Sequence, residues 1–115
     1  MRALRPIITA HCVLILLQAV LAGQYLSGAF DALAVHRANA GFVLLAGWAQ
    51  AVAALLLWRP GRGPAWPLAV SVLVCVAELM QMAAGMSREL GLHVPLGVTL
   101  FGTMAALTGW AWARG

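Results

Sequence analysis

Few residues in this chain have types that could do chemistry, and most of them recur at matched places. His36 opens one long apolar run and His93 opens another. Glu78 and Gln81 lie three apart inside a third run, so a helix would put both on one face. His11, Gln18, Gln24 and Gln50 are further polar residues inside apolar stretches. Polar groups at membrane depth are costly, so each is a candidate for function. A single histidine at a membrane boundary is ordinarily a solvated cap. Two at equal depth, facing one another across a bundle about one porphyrin width apart, have the geometry of bis-imidazole haem ligation.

Small residues follow each histidine by about one turn: Ala40 and Gly41 after His36, Gly97 after His93. A flat macrocycle between two helices needs such room. Arg37 and Arg88 stand at the same boundary, where guanidinium groups would meet propionates. Glu78 and Gln81 lie roughly 20 and 24 Å along their run, in its outer half, and Gln24 reaches a comparable level. The buried glutamate is expected to be neutral or paired. It could orient a ligand imidazole, relay a proton or bond a quinone-like head group. His11 is expected to be a lone structural residue near the inner end. Met80, Met82 and Met86 are expected to fill the core, and Cys12 and Cys75 to act as small buried hydrophobes. With three histidines and only two at one level, a single bis-His haem is possible and a stacked pair is not.

The elements that must position these residues are membrane helices. Of the 115 residues, 63% are hydrophobic and 9% charged, against about a quarter charged in soluble domains. Apolar runs cover about 7–29, 38–58, 65–86 and 92–113. The second extends back to about 32 if Asp31 is its N-cap. Each is long enough for a hydrocarbon core of about 30 Å. Short connections make neighbours antiparallel. The expected fold is therefore all-α, an integral membrane up-down four-helix bundle forming one domain over 1–115. Arg2, Arg5 and an apolar stretch ending in Val20-Leu21-Ala22 give the N-terminus a signal-like look, but it is expected to be retained as the first helix.

Arg2, Arg5, Arg59, Arg62 and Arg114 fall on one side, and Arg37 and Arg88 on the other. The positive-inside rule then puts both termini in the cytoplasm of a cell or inner membrane. Trp58, Trp66, Trp110 and Trp112 gather on that same side as an aromatic belt. Ala19, Gly23 and Ser27, and likewise Ala49 and Ala53, form stripes expected to bring helices close. A net charge of +4 without a basic cluster gives no sign of a nucleic-acid partner.

In order and spacing, LLQAVLAGQ (16–24), HRANA (36–40), ELMQMAAG (78–85) and LHVPLG (92–97) resemble one four-helix half of the haem A synthase family. That family's members have eight membrane helices in two similar halves. The chain is also similar to small four-helix bacterial membrane proteins. The resemblance spans most of the chain and implies that His36 and His93 are paired haem ligands. Where the family's catalytic half carries a Glu three residues before the second-helix histidine, this chain has Leu33, with Asp31 the nearest acid.

The expected function is that of a b-type haem protein with one haem, iron bound by His36 and His93, near the extracytoplasmic face. Ala40, Gly97, Gln24, Gln81, Glu78, Arg37 and Arg88 would surround it. A quinol or an extracytoplasmic redox partner would exchange electrons with it, or the protein would handle haem. A half-size haem-modifying oxidoreductase acting as a homodimer, a non-haem scaffold subunit and a small transporter component are the alternatives.

Overall fold

The structure is a computed structural model and describes residues 1–114. Four α-helices account for nearly all of them: α1 (Leu4–Leu26), α2 (Ala32–Trp58), α3 (Trp66–Met86) and α4 (Leu90–Ala113). α1 starts three residues earlier than the apolar run, because Arg5 and Pro6 fit the first turn, where a proline's missing N–H costs nothing. None of the helices has a side-chain N-cap bond, Asp31 included.

α1 packs beside α2 and α4, and so does α3. No Cα pair within 8 Å joins α1 to α3 or α2 to α4. The bundle is therefore up-down, with α2 and α4 diagonal. The two ends differ. The terminal end carries the chain termini and the α2–α3 loop. The distal end carries the α1–α2 and α3–α4 turns.

The outer faces are mostly apolar. Leu45, Leu73 and Val98 lie in mid-helix and are 67%, 68% and 69% exposed. Such side chains are at ease only in hydrocarbon, and each helix is long and apolar enough to cross a membrane. With the backbone bonds closed within each helix, apart from the one that Pro95 of α4 cannot donate, the bundle meets the main demand of a lipid solvent. This is a multi-pass membrane protein. Met80 and Met86, expected in the core, face outward instead.

At the terminal end, arginines lie over tryptophans: Arg59 on Trp58, Arg5 on Trp112 and Arg114 on Trp110. Trp66 meets Trp110 edge-on at 4.4 Å, and the Trp112 indole N–H donates to Thr9. Amphipathic rings and snorkelling cations suit a headgroup layer.

α1 and α3 end in the same way at the distal end. The N–H of Ala29 bonds the carbonyl of Gln24 and that of Gly28 bonds Tyr25; Glu89 and Arg88 repeat this with Ala84 and Gly85. Both are Schellman turns, which place one residue in the left-handed region. Gly28 takes it at φ 100°, and Arg88 takes it at φ 61° despite its Cβ.

The likeness of the two hairpins extends through the core. Every buried residue of α1 has a buried counterpart at constant spacing in α3: Leu4 with Pro67, Ile8 with Ser71, His11 with Val74, Ile15 with Glu78, Leu21 with Ala84. Every buried residue of α4 likewise pairs with one of α2, Leu100 with Val43, Met104 with Gly47, Leu107 with Gln50 and Ala111 with Ala54, while Ala32 and Asn39 of α2 have no buried counterpart. The pattern of buried positions is thus that of two similar hairpins about a pseudo-two-fold axis, with α1 in closer contact with α2 than α3 is with α4.

Close approach is made by glycines other than those in the expected stripes. Ala19, Gly23 and Ser27 are exposed, and a Cβ on Gly23 would meet nothing within 4 Å. A Cβ on Gly85 would instead lie 2.8 Å from the His93 ring, and one on Gly47 would lie 2.6 Å from Glu78 Oε2. The small residues that matter are those facing polar side chains, which have to fit between backbones.

Candidate functional site

His36 and His93 sit in the first turns of α2 and α4, at the distal end, both half-buried. Antiparallel winding starts these two helices on the same side, and the diagonal arrangement turns their first turns toward each other. The ring centres are 6.2 Å apart with an interplanar angle of 61°.

Each ring is anchored in the same way. His36 Nδ1 lies 3.0 Å from the carbonyl oxygen of Gln18 on α1. His93 Nδ1 lies 2.9 Å from that of Gln81 on α3. A carbonyl only accepts, so Nδ1 carries the proton in both rings. Nε2 then keeps its lone pair, the arrangement that prepares a neutral imidazole for a metal. The pseudo-two-fold axis relates His36 to His93 and Gln18 to Gln81, so the two rings form one symmetric site.

The remaining predicted residues divide around it. Ala40 lies one turn below His36 and is half-buried, and Gly41 beside it borders open space. Gly97 is small for a different reason: a Cβ there would come within 2.9 Å of Gln81 Nε2. Gln81 supports His93 through its backbone, and its side-chain Oε1 is buried without a hydrogen-bond partner. Arg37 and Arg88 are exposed at the distal end, and neither meets a carboxylate, since the single salt bridge among the described residues lies elsewhere. Gln24 is exposed and belongs to the surface of α1. Glu78 is buried, but its carboxylate turns away from the histidine pair.

Glu78 faces His11. Its Oε1 is 2.5 Å from His11 Nε2, while His11 Nδ1 is 2.8 Å from Gln50 Oε1. Gln50 Nε2 in turn donates to Ser71 Oγ at 3.0 Å, and Ser71 Oγ–H to the Pro67 carbonyl. His11 and Gln50 are wholly buried and Glu78 is 4% exposed. His11 is therefore no isolated residue at a helix end. It joins α1 to α2 and α3 inside the bundle. Counting depth from the helix ends could have found this: His11 lies seven residues into α1 and Gln50 eight from the end of α2. A second residue that sequence reading missed is Asn39. It is buried in α2 and donates to the Leu14 carbonyl and to Gln18 Oε1, steadying the residue that anchors His36.

Comparison with family models, with curated proteins and with solved structures found no match to this chain.

Among the described residues no group of three or more His, Cys, Asp or Glu could hold a bare metal ion. Two imidazoles suit a metal that brings its other ligands with it, as haem iron does. With iron–nitrogen bonds of about 2 Å, as for other imidazole–metal bonds, and about 1 Å from nitrogen to ring centre, ligand rings stand roughly 6 Å apart. The observed separation and the donor state of both rings fit that group.

Proposed function

We propose that this protein is a membrane b-type haem protein holding one haem between His36 and His93. The observation that supports this most is the matched pair of Nδ1–carbonyl bonds on diagonal helices, with the rings 6.2 Å apart. When bound, haem supplies a one-electron carrier. The protein's part is to fix both imidazoles in the ligating tautomer through Gln18 and Gln81. Asn39 stiffens one of those supports, and Arg37 and Arg88 offer uncommitted cations for the propionates.

The arginine count favours termini in the cytoplasm, with the distal end on the extracytoplasmic side. A quinol or an extracytoplasmic redox protein then exchanges electrons with the site, or the site serves in haem handling. The resemblance to one half of haem A synthase points the same way.

The test is an absorption spectrum of detergent-purified protein, oxidised and dithionite-reduced, beside His36→Ala and His93→Ala. A Soret band with sharp reduced α and β bands, lost or broadened in both variants, is expected. A colourless protein after haem addition overturns the reading.

A further inference from the structure

The His11–Glu78 pair is not explained by the histidine site, and it breaks the symmetry on which that site depends. The counterpart of His11 is Val74, that of Glu78 is Ile15, that of Gln50 is Leu107 and that of Ser71 is Ile8. One half of each pair shows that an apolar residue fills the position well. A buried ion pair is commonly no better for stability than apolar residues of similar volume. Its presence in one orientation only is the mark of a specific use.

The pair also has a free acceptor. Glu78 Oε2 is buried without a hydrogen-bond partner, and so is Gln81 Oε1, one turn closer to the distal end on the same face of α3. Gln81 is the residue whose carbonyl holds His93. Polar groups thus lead from the half-buried His93 along α3 to Glu78 and His11. Toward the terminal end His11 is bonded through Gln50 and Ser71 to the Pro67 carbonyl, and the other buried side chains there are apolar: Leu4, Ile8, Ala54, Leu107 and Ala111 are at most 2% exposed.

We propose that His11 and Glu78 form a proton-binding site in the bundle interior, reached from the distal end by way of Gln81. One proton enters from water at the distal end and is held by the pair as a unit; it leaves by the same route. No other bond forms or breaks. Cys75 is a further titratable side chain facing the pair, its Sγ coming to the same side of Gly47 as Glu78 Oε2, and Cys12 of α1, next to His11, is half-buried. α2 offers Gln50 and Gly47 and α4 offers Met104, none of which ionises. The charged residues Asp31, Arg37, Arg88 and Glu89 are exposed at the distal end.

The site is tested by infrared spectroscopy of the haem-free protein in lipid vesicles, titrated with pH and transferred to D₂O. A buried carboxyl C=O band that appears and vanishes over a single-proton transition is expected, with a downshift in D₂O. Glu78→Gln removes the band and Cys75→Ser leaves it. Gln81→Leu, which keeps the pair, is expected to slow exchange by roughly tenfold, the equivalent of one lost hydrogen bond. A wild-type spectrum in which neither a carboxyl band nor an imidazole ring band of the pair titrates overturns the proposal, as does exchange unchanged in Gln81→Leu. Because the protein is haem-free, a negative result leaves the haem reading standing, and a colourless protein leaves this one standing.

Discussion

Replacing Gly47 by alanine places one methyl group against the His11–Glu78 pair. The new Cβ would lie 2.6 Å from Glu78 Oε2, 3.3 Å from Cys75 Sγ and 3.4 Å from His11 Cε1. The last contact is ordinary and the second is tight. The first requires movement, and Glu78 is not free to move while Oε1 holds His11. Overpacking of this kind costs about 1–3 kcal/mol. If the carboxylate swings away, an unmet partner remains buried at a similar cost of about 1–3 kcal/mol. Against this stands the gain from removing a helical glycine, roughly 1 kcal/mol. Gly41, on the same helix, isolates that gain, since a Cβ there meets nothing within 4 Å. Measured by unfolding equilibria in mixed micelles, Gly47→Ala should be about 1–3 kcal/mol less stable than Gly41→Ala. In a Glu78→Ala background the clash has no target, so the double-mutant cycle should show coupling of about 1–3 kcal/mol. Equal stabilities for the two alanine variants, or strict additivity in the cycle, would refute the close packing of Gly47 on this pair.

His11→Val and Glu78→Ile singly should each destabilise by about 3–5 kcal/mol, whereas the two together, which copy the opposite hairpin, should be near neutral; the same unfolding assay reads both. Arg88→Gly should stabilise by about 1 kcal/mol, because a left-handed residue loses its Cβ. The same change should weaken haem retention in titrations if the guanidinium meets a propionate. Asn39→Ala should cost about 1–3 kcal/mol, since Gln18 Oε1 and the Leu14 carbonyl lose their donor. Gln24→Ala, on the exposed side of α1, should change stability by no more than about 0.5 kcal/mol and leave any Soret band unaltered.

Hydropathy carried the architecture, because in lipid the helix is the natural answer for a run of apolar residues, and run length sets the number of crossings. The level of His36 and His93 was legible for the same reason: antiparallel helices of known length share a ruler. Facing was less legible. These helices are apolar all round, so no polar face marks the outside, and Gln24 and the Ala19–Gly23–Ser27 stripe were assigned inward when they face out. The His11–Glu78 contact joins residues on two helices far apart in sequence, and no local spacing announces it. His11 is near the inner end by sequence, yet seven residues of helix separate it from the start of α1, and it is wholly buried. Asn39 was hidden in the HRANA segment, where its neighbours His36 and Arg37 claimed the reading.

The two-hairpin plan bears on how such a polar interior can arise. Two identical hairpins meeting on a true two-fold axis could supply a symmetric histidine pair, one ring and one carbonyl from each copy. They could not supply a single His–Glu pair, since any substitution would appear twice and histidine would stand opposite histidine's own image. Joining the hairpins through the α2–α3 loop frees each position from its twin. Ile15 could remain apolar while Glu78 became acidic, and Val74 could remain while His11 became basic. Covalent linkage thus separates two kinds of residue in this chain: those that still match in duplicate, His36 with His93 and Gln18 with Gln81 at the distal end, and those that differ, in the interior.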